Sequence, residues 1–524
     1  MDKLTSSEKK VVLIILDGWG VTESSNGNPI ILAKTPFFSK ITSSYFTTTI
    51  QASGLSVGLP WGECGNSEVG HLNLGAGKII YQTLPLINKA ISDGVFFNNE
   101  NFLKAIEHAQ KNKSKLHLFG LVSSGGVHSS IEHLFALLQI CQKKKFKNVF
   151  IHVILDGRDS PRDSALTFIK ELKQKIKEIG VGKIATLIGR FYAMDRDNHW
   201  ERIEKAYQAM TGGVGSNFES VEEAIAESYK KNVFDEEFVP VVITEKDRPI
   251  ALIEDNDALI FFNFRSDRAR QITKAFVSPE MDKFNRLKKI ENLLFVAMIE
   301  YEEGLPVEVA FLPDKVENPI ARVISEQGLK QIHIAETEKY AHVTYFFNGG
   351  KEQPYQNEDW VLVPSPRISS YDKKPEMSAK EITEKVVVAI NSEKYNFMVI
   401  NFANADMVGH TGNMEATVKA IEFIDKMLLQ IVEAALNKNN AVIITADHGN
   451  AEDLLKLKTG EIDKEHSSNP VPFILVGQQW EQASQENLDL GLIQPTGVLA
   501  DVAPTILKIM NIAQPKEMNG NSLI

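Results

Sequence analysis

The sequence predicts an α/β chain in two domains, and three observations carry that prediction. Several segments share one pattern, a short apolar run rich in β-branched or aromatic residues that ends in a polar cluster: VVLIILD to Asp17, IHVILDGRD to Asp159, ALIFFNFRSDR to Arg268, NFMVINFANAD to Asp406 and AVIITADH to His448. Continuous apolar runs of this length read as strands buried on both faces, the mark of a parallel sheet covered by helices. Helical patterns lie between them, as in SALTFIKELKQKIKEIG after Asp163 and EATVKAIEFIDKMLLQIVEAALNK after His410, which completes the α/β alternation. At 524 residues the chain also exceeds the roughly 250–300 residues at which a single core stops growing.

Composition narrows the function classes. Hydrophobic residues make up 43% and charged residues 24%, an ordinary folded composition. The polar start MDKLTSSEKK leads into an apolar run that Asp17 interrupts too soon for a signal sequence or membrane span. Two cysteines, Cys64 and Cys141, make no disulfide framework and fit unpaired thiols in a reducing compartment, so a cytoplasmic location is expected. A net charge of −11 argues against a nucleic-acid surface. Anionic small molecules stay open, because the field in a cleft depends on nearby charges.

The two ends of the chain belong together. Asp17 and the GNSEVGH loop (Gly65 to His71) lack metal-type partners until Asp406 onward, whereas the stretch between carries an Arg-rich vocabulary. The expected organisation is a discontinuous domain of residues 1–80 and 316–524, interrupted by an inserted α/β domain of residues 81–315. LPDKVENP, at the second boundary, is a charged, proline-punctuated linker.

In open α/β sheets, ligands gather beyond the carboxyl ends of strands, and each run above ends there in Asp, Arg or His. NADMVGH sets Asp406 and His410 one helical turn apart on a shared face. ADHGN supplies adjacent Asp447 and His448, and EHSSNP adds His466. Together with Asp17 these make three carboxylates and three imidazoles, which suit two metal ions better than one ion with an open position. Oxygen and nitrogen donors without thiolate point to Mn²⁺, Zn²⁺ or Co²⁺. Ser67, in a loop that leads into a helix, has either an N-capping role or, beside this metal set, that of a nucleophile whose phosphorylated form the helix N–H groups would hold.

These residues fall in motifs: LDGWG, GNSEVGH, SGGVHSS, LDGRDSPR, GRFYAMDRD, FNFRSDRAR, EKYAHVTYFFNGG, NADMVGH, TADHGNAE and LADVAPTIL. In that order, over almost the whole chain, they resemble the cofactor-independent phosphoglycerate mutases of the alkaline phosphatase superfamily. The resemblance implies an alkaline-phosphatase-like α/β sandwich with an inserted substrate-binding domain. It implies that Asp406, His410 and His466 hold one Mn²⁺ while Asp17, Ser67, Asp447 and His448 hold the other. It implies further that His128, Arg158, Asp159, Arg190, Arg196, Arg265, Arg268 and Lys339 surround 3- or 2-phosphoglycerate, that no 2,3-bisphosphoglycerate is needed, and that the enzyme is a monomer. Two departures are Ser266, where the family has proline, and Ser467, where threonine usually follows the histidine; neither removes a ligand.

The chemistry expected of such a set is phosphoryl transfer through a phosphoserine at Ser67, with Asp159 carrying protons to and from the substrate hydroxyls and Arg265 among the guanidinium forks that hold carboxylate or phosphate. An inserted domain closing over the site would keep water from the phosphoserine. A simple metal phosphatase needs no such Arg group, and a phosphopentomutase would present a threonine nucleophile and a different cap. Neither a nucleic-acid nor a membrane partner is expected.

Overall fold

The protein is described here by a computed structural model covering residues 10–23, 27–456, 459–483 and 488–524. The polar start read above lies, through residue 9, outside the described residues. The chain divides into two compact units, Met1–Pro85 with Asp314–Ile524, and Leu86–Pro313. The first division falls inside the Thr83–Ser92 helix.

The discontinuous unit is built on an eight-stranded sheet in the order Glu358–Val363, Gln331–Glu336, Phe397–Phe402, Val11–Leu16, Ala441–Thr445, Val471–Val476, Phe46–Gln51, Gly497–Val498. Its central strands are largely apolar because both faces are covered: every residue of Val11–Leu16, Phe397–Phe402 and Ala441–Thr445 is buried. The Met414–Asn437 helix shows how the cover forms. Asn413 caps it by accepting from the Ala416 N–H, and Ile421, Ile424, Leu428, Ile431 and Val432 recur at helical spacing on its buried face. Each such side chain contributes about 1.5–3 kcal/mol by burial.

The sheet is not purely parallel as the apolar runs predict. Val471–Val476 runs antiparallel to both Ala441–Thr445 and Phe46–Gln51. Burial on both faces makes a strand apolar whatever its direction, so composition does not report orientation here.

Register decides what meets at the rim. Leu16 pairs with Phe402 and Ile15 with Thr445, so Asp17 leaves the sheet level with Asp447 and with the turn into Asp406. The antiparallel Val471–Val476 strand begins at this same rim and brings His466 there. Phe46–Gln51 ends there and sends its loop to Ser67. Gln331–Glu336, parallel to Phe397–Phe402, ends there just before Lys339.

The inserted unit has its own nine-stranded sheet, ordered Glu308–Phe311, Leu294–Ile299, Ala258–Phe261, Leu116–Leu121, Val149–Leu155, Lys183–Gly189, Val241–Glu245, Ser216–Phe218, with Arg248–Pro249 paired to Val241–Glu245. The strands from Glu308–Phe311 to Lys183–Gly189 are parallel, while Val241–Glu245 is antiparallel to Lys183–Gly189. The carboxyl ends after Leu121, Leu155, Gly189 and Phe261 therefore share one rim, the one that carries His128, Arg158, Asp159, Arg190, Arg265 and Arg268.

Candidate functional site

Ser67 opens the Ser67–Ala76 helix, but the capping role belongs to its neighbour: the Asn66 side chain accepts from the Val69 N–H at 3.0 Å. The hydroxyl is left free for other work. Two glycines let the backbone approach the site. A Cβ on Gly70 would come within 2.5 Å of the Asp447 carbonyl, and one on Gly18, at φ +73°, within 2.7 Å of Asp406. The helix thus lies directly against the strand end that carries Asp447.

Around Ser67 the buried charges converge. Its Oγ lies 2.7 Å from Lys339 Nζ, 2.9 Å from His448 Nε2 and 3.3 Å from Asp17 Oδ1. Lys339 Nζ is also 2.6 Å from Asp17 Oδ1 and 2.6 Å from Asp406 Oδ2. Burial would push Asp17 up, but Lys339 and then His448 outweigh it and hold the carboxyl well below the usual carboxylate range. Burial opposes protonation of Lys339 in turn, and the carboxylates of Asp17, Asp406 and Asp447 overcome it. The ammonium is held in place by this cluster of carboxylates.

The histidines test whether metal ions fit. His410 Nδ1 meets the Lys464 carbonyl at 2.7 Å and His466 Nδ1 the Gly65 carbonyl at 2.8 Å. A carbonyl only accepts, so each Nδ1 carries a proton and Nε2 is the nitrogen each ring turns to the site. Those two Nε2 atoms face one another at 3.1 Å, and lie 3.2 and 3.4 Å from Asp406 Oδ1. This is the arrangement of ligand histidines oriented through their other nitrogen, and it fits a divalent cation. Asp406, His410 and His466 form one such group and Asp17, Asp406 and His448 another, each with its ligand atoms within 4.8 Å of one another. Asp447 Oδ2 is buried without a hydrogen-bond partner. A cavity of about 360 Å³ opens on Ser67, Lys339, Asp406, His410 and His466.

The Arg-rich group forms separately, within the inserted unit. Arg190 is buried and donates to both Asp156 Oδ1 and Asp159 Oδ2 at 2.6 Å. Asp156 in turn accepts from Ser123 Oγ at 2.6 Å and from the backbone N–H groups of Arg158 and Asp159. Asp267 accepts from Arg196 at 3.0 Å and from Arg265 at 3.1 Å, and Arg268 donates to the Met194 carbonyl. Burial and then the charges of Arg196, Arg190 and Arg158 pull the Arg268 guanidinium down, so four cations crowd one place, a field suited to anions. His128 stands 3.9 Å from both Asp159 and Asp267, and its buried Nδ1 has no hydrogen-bond partner.

Lys339, expected around the substrate from a position after the inserted domain, has its ammonium among Asp17, Asp406 and Ser67. Sequence reasoning passed over several side chains that orient the rest. Asn450 donates to Asp406 Oδ1 at 2.8 Å. Glu452 accepts from the backbone N–H groups of Gly20 and Asn450 and from the side chains of Ser467 and Asn469, so Ser467 keeps a hydroxyl where the family's threonine would supply one. Asp156 and Asp267 organise the arginines. A signal existed for Asn401, a polar residue inside the apolar run VINFA; the others sit within motifs whose better-known members drew the assignment.

Comparison with known proteins adds the following. Residues 87–303 match the family described as BPG-independent PGAM N-terminus, and residues 315–463 the family described as type I phosphodiesterase / nucleotide pyrophosphatase. The chain is 50% identical over 519 residues to the 2,3-bisphosphoglycerate-independent phosphoglycerate mutase of Acetivibrio thermocellus, with 99% of each chain covered. It is 50% identical over 518 residues to the protein of the same name from Clostridium novyi, again covering 99% of each. Among solved structures it is similar to the phosphoglycerate mutase of Leishmania mexicana crystallised at low cobalt concentration, with a TM-score of 0.52 and 30% identity over 99% of this chain and 98% of that one.

Proposed function

The chain belongs to the 2,3-bisphosphoglycerate-independent phosphoglycerate mutases, isomerases that interconvert 3- and 2-phosphoglycerate, and from that premise we propose that it works through a phosphoserine on Ser67. The observation that carries this reading is the position of Ser67 Oγ, within hydrogen-bond reach of Lys339, His448 and Asp17 and in the cavity that His410 and His466 also line.

Asp406, His410 and His466 would hold one divalent ion, and Asp17, Ser67, Asp447 and His448 the other, Mn²⁺ in both places with Zn²⁺ or Co²⁺ as the alternatives. Such ions, when bound, supply charge neutralisation for phosphoryl oxygens and lower the pKa of a coordinated hydroxyl. Ser67 is the nucleophile. Lys339 holds its Oγ at 2.7 Å and offsets the negative charge that develops there. In the inserted unit, His128, Arg158, Arg190, Arg196, Arg265 and Arg268 bind the carboxylate and phosphate of phosphoglycerate, the planar guanidiniums suiting both groups. Asp159, kept in place by Arg190, carries one proton between the substrate hydroxyls, passing to the departing oxygen the proton it takes from the hydroxyl that receives the phosphoryl group.

We further propose a cytoplasmic monomer. Cys64 and Cys141 are unpaired, and among the described residues no helix is long and apolar enough to cross a membrane.

The test is turnover of 3-phosphoglycerate by purified protein supplied with Mn²⁺, Zn²⁺ or Co²⁺ and no bisphosphoglycerate, with mass spectrometry of the quenched reaction. The expected result is 2-phosphoglycerate and a phosphorylated Ser67 peptide. No product with any of the three ions, or a phosphoryl group found only on another residue, overturns the reading.

A further inference from the structure

His71 joins Asp17 and Asp447 in a third buried group of ligand-type atoms within 4.8 Å of one another, yet its hydrogen bonds set it apart from His410 and His466. The ring folds back along the helix so that Nδ1 lies 2.8 Å from the carbonyl oxygen of Ser67, one turn earlier. That oxygen only accepts, so Nδ1 carries the proton. The same nitrogen is 3.2 Å from Asp447 Oδ2.

The lone pair then belongs to Nε2, and Asn401 Nδ2 lies 3.0 Å from it, closer than the 3.4 Å at which Asn450 Nδ2 stands from His410 Nε2. The other N–H of the Asn401 amide reaches Asp17 Oδ2 at 2.8 Å. The amide orientation is fixed by these partners, because turning it over would set its oxygen against a carboxylate and a lone pair. Both nitrogens of His71 are engaged and none is left for a cation. His71 and Asn401 are fully buried, where oriented polar groups hold their geometry most firmly.

We infer that His71 and Asn401 are positioning residues, a buried relay that fixes the Ser67 backbone and aims the carboxylate of Asp17 without either residue ligating metal. The inference rests on the phosphoserine reading above and adds two residues to it. One end of the relay is the backbone of the nucleophile and the other is a proposed metal ligand, so a shift at His71 moves both. Partners of this kind typically cost about 10–100-fold in metal affinity or activity when removed.

The test compares His71→Phe, which keeps a ring of similar volume without its nitrogens, with His71→Asn, whose amide nitrogen takes the place of Nδ1, and with Asn401→Leu. Two readouts are needed: calorimetric titration of the metal-free proteins with Mn²⁺, and kcat and KM for 3-phosphoglycerate. His71→Phe and Asn401→Leu should bind two Mn²⁺ at saturation but about 10–100-fold more weakly, with kcat reduced and KM unchanged. His71→Asn should recover part of both losses. Loss of one Mn²⁺ equivalent at saturation makes His71 a ligand and overturns the inference. So do wild-type affinity and kcat in His71→Phe, or a raised KM with kcat intact. Should His71→Phe fail to fold, His71→Asn and Asn401→Leu decide the same question. A wild-type protein without mutase activity would sink the functional reading, while the Mn²⁺ titrations would still judge the relay.

Discussion

Asp17 and Arg265 stand at corresponding places, just beyond the carboxyl ends of strands in their own sheets, and their surroundings differ. The side chains of Asp17, Asp447 and His448 are fully buried, and that of Lys339 is 5% exposed. In the inserted unit Arg158, Arg196 and Arg265 are 54%, 47% and 52% exposed, and only Arg190, at 2%, is buried. Histidines respond in opposite senses. Against its burial, Asp447, Asp17 and Asp406 raise His448 to about 9, whereas burial and Arg190 lower His128 to about 4. One region is a fixed constellation whose charges depend on one another; the other is a group of half-exposed cations, two of them held by Asp267, around one buried arginine. Substitutions in the first should strike catalysis and metal binding, and those in the second mainly substrate affinity.

The sharpest way to break this contrast is Ser67→Ala. Asn66 caps the helix, so the fold should be spared, while mutase turnover falls by at least about 10³-fold because a nucleophile acts as one unit with its surroundings. Kinetics and mass spectrometry of the variant, checked for bound metal, measure it. Near-normal isomerisation by a folded, metal-loaded variant would dissolve the distinction between the two regions.

Lys339→Met probes the interdependence of the buried charges. Removing one partner from a buried ion group leaves the others uncompensated, at a cost of about 3–5 kcal/mol. Denaturation in excess chelator should show that loss, and saturating Mn²⁺ should restore most of it, since the same carboxylates would then face metal ions. Equal loss with and without Mn²⁺ would mean that Lys339 does not share its carboxylates with metal.

How far these regions were legible in the sequence follows the same division. Asp17, Asp447 and His448 were readable because each closely follows an apolar strand, as was Asp406 in the short helix after Phe397–Phe402, and the parallel fold gathers such ends at one rim. Antiparallel pairing was not readable, since Val471–Val476 is as apolar as the parallel strands at the centre of the sheet. The placement of Lys339 was not readable either: its motif tells which residues travel together, but only the register of Gln331–Glu336 against Phe397–Phe402 brings the ammonium to Ser67. The network of Asp156 and Asp267 was hidden because a carboxylate that organises arginines looks, in sequence, like any turn residue.

Within the inserted unit the contrast sharpens between Arg190 and Arg265. Arg265→Ala should change stability by no more than about 0.5 kcal/mol, as surface substitutions do. Its KM for 3-phosphoglycerate should rise about tenfold or more, the equivalent of one hydrogen bond to a charged group at about 1.5–3 kcal/mol. Arg190→Ala should instead destabilise the fold, because Asp156 and Asp159 lose their buried partner. Thermal denaturation beside steady-state kinetics separates the two; a large stability loss in Arg265→Ala would show that the exposed arginines are structural.

The smallest expected effect concerns acid. His128 titrates near 4 in the folded chain, because burial and then Arg190 oppose its protonation more than Asp267 and Asp159 favour it, against an ordinary value near 6.5. Between those values the unfolded chain binds the proton and the folded chain does not, so stability falls as pH drops from about 6.5 toward 4 and is fully present above that window. His133, lowered to about 3 by burial, acts in the same direction, so His128 accounts for only part of the slope. His128→Asn removes its share. The variant should lose less Tm than the parent between pH 6.5 and 4.5, by about 2–4 °C for each 1 kcal/mol in a unit of this size. Measured on metal-free protein, the comparison leaves out proton competition at the metal ligands. Parallel Tm curves for variant and parent would show that His128 binds its proton equally in the folded and unfolded chain, and that the inserted rim is more open to water than its burial implies.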